Sequence, residues 1–219
     1  MSEALLAPAF LFRFSASCQY RAKLGSERGA GLGPTFVLPS FGELEGRPMF
    51  ADFRVAWSGK GLAFDLRVKG KKQPLWCRQS RLEDSDGLQV WIDTRDAHNI
   101  HRATRFCHHF IFLPAGSGNR FEEPTAALVP IHRARENPRT IQPSPLRVAA
   151  QCSRGGYRLQ ARVPAEALTG FEPAEQPRLG FSYAVVDREL GWQTFSVGPE
   201  FPFSEDPSLW GTLELVKKQ

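Results

Sequence analysis

The sequence contains only 2 methionines and 4 cysteines in 219 residues. The cysteines (Cys18, Cys77, Cys107, Cys152) stand far apart with no Cys-x-x-Cys spacing. That argues against a disulfide framework or a structural zinc site and for free thiols. The scarcity of methionine bears on haem, because a Met–His axial pair would have to use Met49, the one internal methionine, which has no evident partner. No run approaches the ~20 apolar residues that span a bilayer. Met1 to Phe14 is apolar in flavour but lacks a basic segment ahead of it and a small-residue cleavage site. It therefore reads as mature protein, not a signal peptide, and the expectation is a soluble, cytoplasmic chain with no membrane partner. Dense basic runs are missing too. The net charge of +5 is spread along the chain, and the small clusters Lys69 to Lys72 and His132 to Arg139 read as solvated loops, which excludes a nucleic-acid arm. Catalytic signatures are also lacking. There is no Gly-x-Ser-x-Gly elbow and no His-Glu-x-x-His, and Gly116-Ser-Gly118 lacks the Lys and helix of a phosphate loop. Nothing positive argues for an enzyme.

What is abundant is phenylalanine at 17, with 17 prolines and 19 glycines as punctuation, a composition that favours strands. Period-two alternation recurs along the chain. Phe53, Val55 and Trp57 point one way and Asp52 and Arg54 the other; after Ser58-Gly-Lys-Gly61, Leu62, Phe64, Leu66 and Val68 alternate with Ala63, Asp65 and Arg67. Two such runs across a Gly-bearing turn predict a hairpin. Further strands are expected at Gly87–Asp93, Arg105–Leu113, Ala126–His132, Leu146–Cys152, Tyr157–Val163, Leu179–Val186, Gln193–Val197 and Trp210–Val216. One short helix is expected at Pro164 to Leu168, stopped by Gly170. About ten short strands with turns between them predict an all-β fold, a two-sheet antiparallel β-sandwich with one short helix. Residues 1–49 are expected to supply an N-terminal strand and an irregular wrapping segment (15–49) to the same domain, and residues 50–219 the sandwich.

The order of these features resembles carbohydrate-binding-module family nine, a branch of the DOMON-like sandwiches. The resemblance is carried by Trp57 followed by Gly61-Leu62, by Pro74-Leu-Trp76 with Asp86-Gly-Leu-Gln-Val-Trp-Ile-Asp93, and by Gly155-Gly-Tyr157 to Ala165. Leu179-Gly-Phe181 to Asp187 and Asp206-Pro-Ser-Leu-Trp-Gly-Thr-Leu-Glu-Leu215 complete it. Five weak motifs in order cover about residues 50 to 216, and they speak to the fold more than to the ligand. The resemblance implies a sugar clamped between two tryptophans, with polar side chains on its hydroxyls. By position Trp76 would be the first wall, Gln89 stands where the family has glutamate, and His109 or His108 stands where it has arginine. The second tryptophan has no counterpart; its place falls near Phe203 and Ser204. The resemblance also implies structural calcium, though its ligands do not map onto this chain.

The residues themselves leave several alternatives open. Trp91 alternates with Gln89 and Asp93 on the polar side of its strand, so it is either a binding platform or a ring covered by residues 15–49. Trp192, in a loop after Asp187, is a second candidate wall, while Trp57 and Trp210 are assigned to the core. Asp93, Asp96, His98 and His101 form the densest polar cluster. Their donor types suit calcium or another divalent metal, but no known short motif is present and a solvated loop reads as the simpler case. His108 and His109 are successive strand positions and must face opposite sides. Glu83, Asp84 and Asp86 carry the carboxylates of glycoside hydrolysis, yet adjacent loop carboxylates are more often solvated charges or calcium ligands. The leading function is thus a non-catalytic sugar-binding module with Trp76, Gln89, Trp91, His109, Trp192 and Phe203 around a saccharide. The alternatives are a metal- or cofactor-binding sandwich and a protein-interaction domain that has lost sugar binding.

Overall fold

The computed structural model describes residues 11–24 and 31–217, so most of the apolar Met1 to Phe14 stretch lies outside the described residues. Eleven strands run in chain order: β1 (Ser15–Tyr20), β2 (Ala51–Ser58), β3 (Gly61–Lys69), β4 (Gly87–Asp93), β5 (Cys107–Ser117), β6 (Glu123–Val129), β7 (Arg147–Ser153), β8 (Gly156–Pro164), β9 (Arg178–Asp187), β10 (Gly191–Thr194) and β11 (Gly211–Val216). They hydrogen-bond in the order β6-β5-β4-β9-β11-β1-β2-β3-β8-β7, with β10 on the remaining length of β9. The path folds back on itself so that β5 and β6 face β7 and β8. The result is an all-β sandwich. Its two layers are not separate antiparallel sheets, because β1 lies parallel to both β11 and β2 and joins them.

The interior follows from the alternation. Phe53, Val55 and Trp57 of β2 and Leu62, Phe64, Leu66 and Val68 of β3 turn inward, against Leu88, Val90, Ile92, Phe110 and Phe112 of the other layer. Phe53 sits 4.4 Å from the Tyr183 ring and Phe64 6.1 Å from Phe112, aromatic separations that join the layers. The hairpin pairs Ser58 with Gly61. Gly61 has φ +121, and a Cβ there would lie 2.1 Å from the Val163 carbonyl oxygen, so no other residue fits where β3 meets β8.

Most strand expectations land on observed strands; β4 matches residue for residue. β5 and β6 differ. β5 runs on through Pro114 to Ser117, and the register shifts between Leu113 and Ser117, drawing β6 about three residues earlier than expected. Pro130, with no N–H to donate, follows its end. β1 lies inside the stretch expected to be irregular: its inward pair, Ala16 and Cys18, is small and signals weakly. The short helix is a single 3-10 turn, Ala165–Ala167. Trp210 is buried, but in a cluster on the outer face of the β4–β9 layer, not between the layers. Among the described residues no helix is long and apolar enough to cross a membrane.

Candidate functional site

β4 and β9 are buried along their whole lengths apart from Arg178, which requires cover on both faces. Inward, Leu88, Val90 and Ile92 meet the core; outward, Trp91, Ala184 and Val186 are covered by Ala103, Ile131, Val197, Phe203 and Trp210. The cover over Trp91 therefore comes from loops around residues 100, 131 and 197–210, not from residues 15–49. Of the latter, the stretch around Leu32 covers the other layer, Leu32 packing on Ala56 and Ala63 with its N–H donating to Asp65 Oδ2 at 2.9 Å, while Ser40 and Phe41 reach Thr194 and Phe195 at the end of β10.

The outer cover is incomplete, and it leaves a cavity of about 440 Å³ lined by residues from β4, β5, β10 and the loops at 83–84, 132 and 199–205. Strand periodicity explains the convergence. Gln89 and Trp91 share one face of β4, and His109 lies directly across from Trp91 on β5. β10 adds Trp192, paired with Val186. The 199–205 loop adds Phe201 and Phe203 and is held by Trp210 Nε1 donating to the Phe203 carbonyl at 2.7 Å. Gln89, Trp91, His109, Trp192 and Phe203 thus come together.

Their roles differ. Trp91 is 1% exposed and forms the floor; it stacks on the His109 ring at 4.3 Å and 13° and takes Phe203 edge-on at 5.2 Å. Its Nε1 is buried without a hydrogen-bond partner. Trp192 and Phe201 are only partly buried and form the reachable aromatic wall. Gln89 is 3% exposed. Its Nε2 donates to the Glu83 carbonyl at 2.7 Å, which fixes its Oε1 as the acceptor for His109 Nε2 at 3.0 Å. His109 consequently carries its proton on Nε2. Burial pushes its pKa down to about 3, so the ring is neutral and Nδ1 is a bare acceptor. Glu83 Oε1 stands 3.8 Å from that Nδ1. The distance is within ion-pair range, but the exposed carboxylate does not offset the cost of charging so buried a ring, and no ion pair forms.

His108, one residue away, points the other way, as successive strand positions must. Its Nε2 accepts from the Thr169 N–H at 3.0 Å and its Nδ1 faces the Ile92 carbonyl at 3.4 Å. Burial lowers its pKa to about 4. It is a packed histidine away from the cavity.

Trp76 does not join the others. It borders a second cavity of about 390 Å³ with Lys71, Pro74, Asp86 and Arg188. Arg188 Cζ lies 4.7 Å from its ring centroid and occupies one face of it. The acidic trio is divided between the two places: Glu83 and Asp84 line the first cavity, while Asp86 turns inward to Lys71. The candidate metal ligands are also dispersed. Asp93 accepts from the N–H groups of Arg95 and Ala97, at 3.0 and 2.7 Å. Asp96 pairs with His98 at 2.7 Å and with Arg178 at 3.1 Å, and His101 turns to Asp206 at 3.1 Å. Among the described residues no three such side chains converge in a way that could hold a metal ion. Burial raises the Asp93 pKa, with its two backbone hydrogen bonds opposing. The reading of the residues missed Phe201, His132 and Glu205, although the aromatic alternation in Phe201-Pro-Phe203 was a usable signal.

No family model matches the sequence, and no curated protein matches it. Solved structures do match its fold. A carbohydrate-binding module of family 9 from Caldicellulosiruptor kristjanssonii, in complex with glucose, superposes with a TM-score of 0.60 at 14% identity, over 94% of this chain and 97% of that one. The cellotriose complex of a family 9 module from the same organism gives 0.53 at 15%, over 94% and 95%. A protein from Bacteroides uniformis described as carbohydrate-binding gives 0.58 at 12%, over 94% and 100%. The chain therefore has the β-sandwich architecture found in carbohydrate-binding modules. Within that class the fold is family-nine-like, and it extends over nearly the whole chain.

Proposed function

We propose that this chain is a non-catalytic carbohydrate-binding module that holds a sugar in the cavity above Trp91. The observation that carries the reading is the convergence of Gln89, Trp91, His109, Trp192 and Phe203 on one cavity, within a fold whose similar structures include modules with glucose and with cellotriose. The chemistry suits the ligand. Partly buried Trp192 and Phe201 supply apolar faces for the C–H side of a ring, and Glu83, Asp84 and Glu205 supply acceptors for hydroxyls around its edge. A cavity of about 440 Å³ falls within the range that small-molecule sites occupy. Gln89 acts here as a positioning residue, since one amide hydrogen and one lone pair are already engaged in orienting His109.

Titration calorimetry with glucose, cellobiose and cellotriose tests this. Saturable binding that weakens about tenfold in Trp192→Ala, with the circular dichroism spectrum unchanged, supports the site. Absence of heat with every sugar up to about 10 mM, a concentration that detects even weak binding, sinks it.

A further inference from the structure

The chain carries a net charge of +5, yet the cavity above Trp91 is lined by three carboxylates (Glu83, Asp84, Glu205) and, among the described residues, by no lysine or arginine. Two of the three have partners of their own: Glu205 Oε1 is 3.0 Å from His132 Nδ1, and Asp84 Oδ2 is 3.9 Å from Arg81 Nη1 on the exposed rim. Glu83 has a different kind of neighbour. The Glu83 carbonyl can only accept, so it takes the Gln89 amide hydrogen; Gln89 Oε1 then takes the His109 Nε2 hydrogen, and the lone pair of Nδ1 is left facing Glu83 Oε1 at 3.8 Å. His109 is 2% exposed and lines the cavity, so a buried, oriented acceptor faces a carboxylate acceptor at 3.8 Å.

A hydroxyl has one hydrogen and satisfies one of two such acceptors. An ammonium has three, and a single nitrogen about 2.8 Å from each spans a gap of this width with charge-assisted hydrogen bonds. The aromatic wall of Trp192 and Phe201 adds a second preference of the same sign, because a ring face attracts a cation. We propose that the ligand of this site is an amino sugar with a free, protonated amine, its ammonium lodged between Glu83 and His109 and its ring against the aromatic wall. The assignment rests on the sugar-binding reading above and narrows it to a cationic saccharide.

The test is calorimetry on the full chain at pH 6 and low salt with the β-1,4-linked glucosamine dimer, its N-acetylated form, cellobiose and methylammonium. The free-amine dimer is expected to bind about tenfold or more tightly than cellobiose or the acetylated dimer, as a charge-assisted pair requires. Glu83→Gln, at a carboxylate whose side chain is 67% exposed, should fold normally and cut that preference to about twofold, because the amine loses a charge-assisted partner while a neutral hydroxyl loses only an ordinary one. Cellobiose binding as tightly as the amine overturns the amino-sugar assignment and leaves the sugar site standing. Preference retained in Glu83→Gln also overturns it. Methylammonium binding as well as the amino sugar, or no binding of any saccharide, overturns the sugar reading itself.

Discussion

Lys71 is the residue whose loss should damage the protein most. Its side chain is 3% exposed and its Nζ lies 3.0 Å from Asp86 Oδ2 and 2.6 Å from Asp187 Oδ2, both carboxylates wholly buried. Burial disfavours the ammonium, but the hydrogen bonds to Asp187 and Asp86 outweigh it and hold the Lys71 pKa above its ordinary value. The two aspartates tie together distant chain segments. Asp86 accepts from the N–H groups of Trp76 and Arg188, at 3.0 and 2.8 Å, and Asp187 from those of Glu189 and Leu190, both at 3.0 Å. Lys71→Met leaves two like charges buried without a counter-ion. Breaking a buried pair in this way costs about 3–5 kcal/mol. In a chain of this size that lowers Tm by about 10 °C, at about 2–4 °C per kcal/mol. Urea unfolding and scanning calorimetry of the variant measure the loss. A control separates charge from packing: Lys71→Met combined with Asp86→Asn and Asp187→Asn leaves no orphaned charge and keeps an acceptor for the Glu189 and Leu190 N–H groups, but the amide at 86 can accept from only one of the Trp76 and Arg188 N–H groups, so it should recover part of the loss. A single-variant cost under about 1 kcal/mol, or a triple variant as unstable as the single one, refutes the reasoning.

Trp192→Ala removes a reachable, partly buried aromatic wall from the short strand β10, so sugar affinity should fall about tenfold with Tm nearly unchanged; calorimetry on the pair of proteins reads both, and an unchanged affinity removes Trp192 from the site. Trp76→Ala should leave sugar affinity within about twofold, because the ring lies in the other cavity beneath Arg188; a loss as large as that of Trp192→Ala would restore it as a wall. The buried histidines set an acid dependence. His108 and His109 have folded pKa values pushed down to about 4 and about 3, below the unfolded value near 6.5. The unfolded chain therefore binds more protons in that window, and stability is full above about pH 6.5 and falls as pH drops towards the folded values. His109→Gln should flatten the fall by up to about 1.4 kcal/mol per pH unit, read as urea midpoints between pH 6.5 and 4.5. A slope identical to that of the parent protein would mean the ring is not held neutral.

Those residues also show what was legible in the sequence. Strands whose inward set is large and apolar, such as Phe53-Val55-Trp57 or Leu88-Val90-Ile92, announce themselves because alternation is a local property. β1 does not, because its inward residues are small and its pairing, parallel to β2 and β11, is entirely non-local. The site divides along the same line. Gln89 and Trp91 were legible as one face from the strand period, whereas which of His108 and His109 joins them was left open, because it depends on the register of β5 against β4. Trp76 was legible only as an aromatic in a polar loop, and where that loop goes depends on Asp86, ten residues on, accepting the Trp76 N–H at 3.0 Å. The split of Glu83 and Asp84 from Asp86 has the same cause. A buried lysine brought from position 71 captures one carboxylate of the trio, and nothing in the local sequence marks which.

The position of Trp91 connects fold and site. It stands on the polar side of its strand, where alternation predicts exposure, yet it is 1% exposed. A ring of that size on an outer face can be left in water or covered, and covering it takes chain from elsewhere. Here Phe203 and Trp210 supply the cover, with the loop pinned through the Phe203 carbonyl. The same loop carries Phe201 and Glu205 to the rim, and the strand beside Trp91 carries His109 beneath them. Hiding the indole and building the cavity are therefore one structural event. A change that frees the loop, such as Trp210→Phe, removes the 2.7 Å hydrogen bond to the Phe203 carbonyl while keeping most of the apolar volume. It should weaken ligand binding more than it weakens the core, which lies on the other side of the sheet.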